Sequence, residues 1–251
     1  MATALLVAFG LFATDATAQK VANEKGEVFS TPATMQDEHI LRYFDPEVAP
    51  VLLGTQEGGY IFGSNGYSDQ AKAVGFDGPA TVESVNMYFG AVEPGFESTE
   101  LTVALVGGSY AAGPDMSNEF ASTVITLADA QVGDEEALPT NVSFGEAVDV
   151  TGTFFVVYSW DPGTFADAFG LLSTEDQGER LDEEWEQWSD GGWNNTSDAW
   201  TGGESGWYQW VEVETASEET GPEIALSTGS VALSANTAGG ASSSVSVSNP
   251  G

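Results

Sequence analysis

The stretch from Thr81 to Val106 constrains the fold more than any other part of this sequence, because it alternates apolar and polar residues with a period of two. Successive side chains of a strand point to opposite faces, so this period is typical of half-buried strands. Pro94-Gly95 separates the stretch into two predicted strands. The apolar positions are Val85, Met87, Phe89 and Ala91 in the first strand and Leu101, Val103 and Leu105 in the second.

Further strand patterns follow along the chain, with turn signals between them. Ser122 to Leu127 is rich in β-branched residues, and Phe154 to Trp160 is a continuous apolar run that predicts a central strand. We count about ten short strands and no helix longer than a turn or two, a pattern typical of a β-sandwich. The sequence predicts an all-β fold, a jelly-roll-like antiparallel β-sandwich over residues 55–215.

The N-terminal residues carry the signature of an export signal. Ala4 to Ala13 is a ten-residue apolar run, too short to span a bilayer, and Ala16-Thr17-Ala18 matches a cleavage site. We predict a signal peptide over 1–18 and a secreted, extracellular protein, with attachment to the cell surface as an alternative. Three prolines interrupt residues 19–54, which we expect to form a loosely ordered leader.

The C-terminal residues restart the strand pattern after a polar linker predicted at 216–222. Residues 223–251 alternate again at Ile224, Leu226, Val231 and Leu233. About 29 residues cannot bury a sandwich core. We therefore expect an incomplete Ig-like β segment over 223–251.

The charge balance excludes some partners. The chain has 39 acidic and 5 basic residues, a net charge of −34. Nucleic acids and anionic membranes require Lys and Arg to neutralise phosphate, so neither is an expected partner. Such a surface suits high salt, where screening removes self-repulsion, and we predict a salt-adapted bacterial protein; calcium loading is the alternative explanation.

Residue counts also limit the chemistry. Without cysteine the chain has no disulfide, thiolate nucleophile or Cys-based zinc site. The chain has a single histidine, His39, and no G-x-S-x-G motif for a nucleophilic serine. Both facts argue against a Ser-His-Asp triad. A glycosidase needs only two carboxylates, so a carboxylate-based glycoside hydrolase stays open as an alternative. No cofactor is indicated.

Six of the seven tryptophans lie between Trp185 and Trp210. Aromatic rings flanked by Asn, Asp and Gln suit sugars, which stack their C–H faces on the rings. The competing interpretation is core packing and cross-strand pairing, which stabilise a hairpin without a ligand. The candidate ligand-binding residues are Trp188, Trp200, Trp193 and Trp210, with Trp188 and Trp200 expected to be the most exposed.

Loop carboxylates are hard oxygen ligands of the kind that calcium prefers. No EF-hand spacing occurs in the chain. Three aspartates near the predicted central strand are the better candidates for a calcium site: Asp161, Asp167 and Asp176.

The order of several segments from Gly58 to about Val213 resembles a β-sandwich module found in cargo proteins of the bacterial type IX secretion system. The resemblance implies an accessory module in a longer exported protein, and residues 223–251 are similar to the first strands of Ig-like domains with a V-x-N-x-G motif at Val247 to Gly251. The segments of the sandwich that carry the resemblance are GGYIFGSNGYSDQAKAVGF, VESVNMYFGAV, LTVALV, FGEAVDVTGTFFV and WEQWSDGGW.

These observations favour a secreted, non-catalytic surface or accessory module for adhesion or substrate attachment, with a polysaccharide or cell-surface partner. A carbohydrate-binding module that uses the tryptophans is the first alternative, and a glycoside hydrolase is the second. The sequence gives no oligomeric state.

Overall fold

Strands dominate the computed structural model, which describes residues 20–23, 26–32, 39–161, 167–200 and 205–216. These residues belong to one unit that ends at Ala216. The predicted signal peptide and Ig-like segment, and the predicted linker beyond Ala216, lie outside the described residues. The strands are β1 Glu27–Val28, β2 Ile40–Leu41, β3 Val51–Leu52, β4 Ala71–Phe76, β5 Ala80–Met87, β6 Phe89–Val92, β7 Glu100–Ser109, β8 Gly113–Thr126, β9 Thr140–Val150, β10 Phe154–Trp160, β11 Phe169–Leu171, β12 Glu184–Gln187, β13 Trp193–Asn195 and β14 Val211–Thr215, with a 3₁₀ turn at Leu127–Asp129 and a short helix α1 at Thr196–Ala199.

Two antiparallel sheets form the sandwich. The larger has six strands in the order β13-β12-β4-β10-β7-β8, and the smaller has four in the order β2-β14-β5-β9. Their inner faces share one core, which includes Val85 and Met87 of β5 and Leu101 and Val103 of β7. The all-β sandwich prediction is therefore confirmed. The predicted strand pair of Thr81 to Val106 is divided between the sheets, because β5 and β7 face each other across the core instead of hydrogen-bonding.

Part of the outer face of the six-stranded sheet is also buried, where the tip of the β7–β8 hairpin packs on Trp185 and Phe155. A Cβ atom at Gly113, which has a φ of 80°, would lie 2.8 Å from Cε3 of Trp185. Only glycine combines this positive φ with so close an approach to an indole ring. The face beneath comprises Ala71, Ala73, Ala104, Val106, Phe155, Val157 and Trp185.

The N-terminal residues pack against the sandwich instead of forming a loosely ordered leader, so this expectation is wrong for the described parts of 19–54. β1 pairs with β3, and β2 pairs with β14. Phe44 is buried and stacks on Trp210 with ring centroids 4.3 Å apart. An irregular segment that covers a sheet face need not alternate apolar and polar residues. The sequence pattern therefore could not reveal this packing.

Among the described residues, no helix is long and apolar enough to cross a membrane.

Candidate functional site

The structure separates the four candidate tryptophans. Trp200 and Trp210 are fully buried, so the expectation that Trp200 is exposed is wrong. Trp188 and Trp193 are half-buried. They flank the hairpin turn at Asp190 and Gly191. Trp188 packs against the core between the sheets, and Trp193 packs against the outer face. The two half-buried rings therefore cannot form one binding platform.

The three candidate calcium ligands do not come together. Asp161, Asp167 and Asp176 are exposed, and Asp176 Oδ1 accepts hydrogen bonds from the backbone N–H groups of Gly178 (2.9 Å) and Gly206 (2.8 Å). Within the described ranges, no three acidic or histidine side chains are placed to hold a metal ion. Asp176 thus closes a loop with its carboxylate.

Beneath Trp188 lies a buried group of four charges, which we call the charge cluster: Lys20, Asp69, Lys72 and Glu186. Lys72 Nζ lies 2.6 Å from Asp69 Oδ2 and 2.8 Å from Glu186 Oε2. Lys20 Nζ bonds to the other oxygen of each carboxylate, at 2.5 Å from Glu186 Oε1. Each ammonium group therefore bridges both carboxylates, and the cluster is neutral overall.

The segments that supply the charge cluster are far apart in the chain. Lys72 lies on the inner side of β4, opposite Glu186 of β12. Asp69 precedes β4, and Asn65 Nδ2 donates to its Oδ2 at 2.8 Å. Lys20 is held by a backbone hydrogen bond from its N–H to the carbonyl of Ala199 (3.2 Å). This bond fixes the start of the described chain to the end of α1, directly before Trp200.

Burial penalises every charge in this cluster, so the charges persist only because they compensate one another. Burial alone would raise the pKa of Asp69, but the ammonium groups of Lys72 and Lys20 hold it below its ordinary value. Burial alone would likewise lower the pKa of Lys72, but Asp69 and Glu186 hold it above its ordinary value. Asp69 and Lys72 are therefore charged at neutral pH.

Aromatic rings enclose the charge cluster. The indole N–H of Trp188 donates to Glu186 Oε1 at 2.6 Å, and that of Trp200 donates to Glu186 Oε2 at 2.9 Å. Lys20 Nζ lies 5.0 Å from the ring centroid of Trp188 and 5.7 Å from that of Tyr67. Trp188 and Tyr67 are half-buried, so they form the accessible edge of an otherwise buried site.

A second buried carboxylate, Glu184, lies beside the cluster on the same strand. Gln209 donates its backbone N–H to Glu184 Oε1 (2.9 Å) and its side-chain amide to Oε2. The hydroxyl of Tyr158 donates a hydrogen bond to the other end of that amide, Gln209 Oε1, at 2.6 Å. Burial raises the pKa of Glu184 to about 8, although the bonds from Gln209 oppose the shift.

We expect the stability advantage of the wild-type protein over Glu184→Gln to fall as pH rises from about 5 to about 8. The unfolded carboxyl loses its proton near pH 4.5, whereas the folded one keeps it up to about pH 8. Between these values the folded state binds more protons, so its stability drops by about 1.4 kcal/mol per pH unit. Denaturant unfolding of both proteins at pH 4, 6 and 8 measures this slope. Glu100→Gln removes an exposed carboxylate and is the control, which should show no such slope. A stability difference between the wild type and Glu184→Gln that does not change with pH would contradict the expectation.

The buried carboxylates do not form a glycosidase pair that could reach a substrate. Glu184 is 1% exposed and Glu186 is fully buried. Gln209 occupies both oxygens of Glu184, while lysines and indoles occupy those of Glu186. Catalytic carboxylates must contact the glycosidic oxygen and the anomeric carbon, which these positions prevent.

Sequence reasoning missed the charge cluster, although one signal for it exists. Lys72 is one of only three lysines in the chain, and it stands in the apolar segment AKAVGF. A scarce charged residue inside a buried strand requires a partner, which points to an internal ion pair. The partners could not have been identified, because Asp69 and Glu186 are two of 39 acidic residues.

Comparisons with known proteins identify no family. No protein-family model matches the chain, and no curated protein matches it. One solved structure is similar, that of the cysteine protease and lectin-like domains of Cwp84, a surface layer associated protein of Clostridium difficile. The identity is 12% and the TM-score is 0.42, and the match covers 72% of this chain and 36% of that one. Similarity at this level assigns neither a family nor a ligand.

Proposed function

We propose that this chain is an exported, non-catalytic binding module that attaches to a polysaccharide at a cell surface, with Trp188 as its principal contact. The observation that carries the proposal is the fixed position of the half-buried Trp188 ring. Its N–H is bonded to Glu186, and its π face lies over Lys20 Nζ. A ring held in place before the ligand arrives loses little conformational entropy on binding.

The surroundings of Trp188 support a sugar ligand. Tyr67 supplies a second half-buried ring, whose hydroxyl is fixed by the backbone N–H of Val21 at 2.9 Å. The neighbouring Gln70 and Ser189 are linked through the Gln70 side-chain amide and the Ser189 carbonyl at 3.1 Å. Rings for C–H stacking beside amide and hydroxyl groups are the usual composition of carbohydrate sites.

Export and adaptation to salt are part of the same proposal. The predicted signal peptide supports export. The four basic residues described all pair with carboxylates, namely Lys20 and Lys72 in the charge cluster, Arg42 with Glu212, and Arg180 with Asp182 and Asp198. The remaining acidic side chains therefore leave a strongly negative surface, which high salt would screen. Type IX secretion stays a prediction from sequence.

We expect Trp188→Ala to reduce retention on a polysaccharide at least ten-fold, because it removes the stacking ring. Affinity electrophoresis in gels containing xylan, mixed-linkage β-glucan or mannan measures the retention. Trp193→Ala is the matched control, because Trp193 is also half-buried but lies on the other side of the sheet. It should leave retention unchanged.

Trp188→Phe separates binding from packing in this experiment, since it keeps a ring but loses the N–H bond to Glu186. It should bind more tightly than Trp188→Ala because it keeps a ring for stacking, and its thermal midpoint should fall because the buried Glu186 loses one of its donors. If Trp188→Ala and Trp193→Ala migrate alike in every gel, the proposed contact is wrong. Release of sugar from any of these polysaccharides by the purified protein would instead show an enzyme.

A further inference from the structure

Three half-buried tyrosines from separate segments meet near the end of β4. Tyr43 follows β2, Tyr110 lies in the turn between β7 and β8, and Tyr208 precedes β14. The Tyr43 ring lies between those of Phe76 (centroids 5.6 Å apart) and Tyr208 (6.0 Å). A stack of near-parallel rings thus leads from the buried Phe76 to the half-buried Tyr208.

The hydroxyl groups of Tyr43 and Tyr110 leave only hydrogen-bond acceptors available. Tyr110 donates its single hydroxyl hydrogen to Asp77 Oδ1 at 3.0 Å. The Tyr43 and Tyr110 oxygens are 2.8 Å apart, so Tyr43 must be the donor in that bond. Both hydrogens are therefore used, while lone pairs on the phenolic oxygens and on the Asp77 carboxylate remain. We call Tyr43, Tyr110, Tyr208, Asp77 and Glu183 the tyrosine cluster.

The tyrosine cluster contains two carboxylates, and no described lysine or arginine forms an ion pair with either of them. Burial and the negative charges of Glu183 and Glu179 raise the pKa of the Tyr208 hydroxyl. Burial and the nearby carboxylates of Asp77 and Glu183 likewise raise the pKa of the Tyr43 hydroxyl. The described lysines and arginines pair elsewhere, with Asp69, Glu186, Glu212, Asp182 and Asp198.

We propose that the tyrosine cluster binds a primary ammonium group, carried by an amino sugar or a lysine side chain. An ammonium group has three donors and no acceptor, which complements an array of acceptors. Aromatic faces attract a cation, and the attraction grows when carboxylates add to the negative potential. A neutral sugar hydroxyl brings no charge and presents acceptor lone pairs as well. The proposal does not depend on Trp188, which packs elsewhere in the fold.

Titration of the full chain with matched small molecules tests this proposal. Glucosamine and Nα-acetyllysine amide both carry a primary ammonium group, whereas glucose is the neutral counterpart of glucosamine. We expect at least one amine to bind about ten-fold more tightly than glucose, as followed by tyrosine fluorescence or by NMR shifts. Binding of one amine alone identifies the source of the ammonium group. If neither binds more tightly than glucose, the proposal is overturned.

Variants separate specific binding from general attraction to an acidic protein. Asp77→Asn and Asp115→Asn remove the same charge from exposed aspartates, but Asp115 bonds to Ser117 outside the cluster. Asp77→Asn and Tyr208→Ala should each weaken amine binding about five-fold or more, and Asp115→Asn should not. Equal loss in both aspartate variants would mean non-specific attraction and would refute the site. Trp188→Ala should leave amine binding unchanged, so failure here and failure of the polysaccharide proposal are distinguishable.

Discussion

Lys72→Met should destabilise the protein by about 3–5 kcal/mol, the usual cost of removing one partner from a buried ion pair. Lys72 is fully buried and bridges Asp69 and Glu186. Methionine fills a similar volume but leaves two carboxylates against the single ammonium group of Lys20. The uncompensated negative charge must be tolerated in the core, or one carboxyl must take up a proton. Urea unfolding at pH 7 measures the loss.

Arg180→Ala is the matched control for Lys72→Met, because it also removes one cation that bridges two carboxylates. The Arg180 side chain is 41% exposed, and its pairs with Asp182 and Asp198 are in contact with solvent. Such surface pairs contribute about 0–1 kcal/mol. Equal losses for the two variants would show that the charge cluster is not buried as described.

Salt and a second substitution refine this prediction. At 1 M salt the screening length is about 3 Å, so surface repulsion is reduced while a buried charge is hardly affected. The loss caused by Lys72→Met should therefore persist in high salt. Adding Glu186→Gln should recover part of it, because Lys20 and Asp69 then remain as a neutral pair.

Trp200→Ala should cost about 3–5 kcal/mol, the range for removing a large aromatic side chain from a core. Trp200 is fully buried, and its ring makes edge contacts with Tyr67 (centroids 5.6 Å apart) and Trp207 (6.2 Å). The substitution also removes the donor to Glu186 Oε2. A cavity would therefore form next to a carboxylate that has lost a hydrogen bond.

Trp188→Ala is the comparison for this second prediction. Trp188 donates to the same carboxylate but is only half-buried, so its loss should cost markedly less than the loss of Trp200. Denaturant unfolding of the two variants under one condition gives the difference. Losses of the same size would contradict the different burial of the two rings.

Strand patterns were the part of the fold that the sequence predicted well. The continuous apolar run from Phe154 to Trp160 predicted a central strand, and β10 does lie between β4 and β7 with both faces covered. The alternation at Leu101, Val103 and Leu105 correctly marked the inward face of β7. The prediction failed where no period exists, as in the N-terminal segment that supplies Phe44.

The tryptophans show why site prediction was weaker. Asn, Asp and Gln among the tryptophans suggested a sugar-binding surface that included Trp200, yet α1 and the N-terminal segment bring that ring under Tyr67 and against Trp207. Trp188 and Trp193 are close in sequence but pack on opposite sides of the sheet. The local pattern indicated a hairpin, and it carried no information about what covers each ring.

The sequence by itself determined that this chain forms strands, that the strands pack as a sandwich, and that its surface is acidic. These properties follow from local periodicity and from composition, which do not depend on where a residue lies in the fold. Only the tertiary structure decided which charges are buried together. Lys20 and Glu186 are 166 positions apart, and their bond exists because two distant segments cover the same end of the core. Burial is a property of what surrounds a residue, so neither partner could reveal it alone.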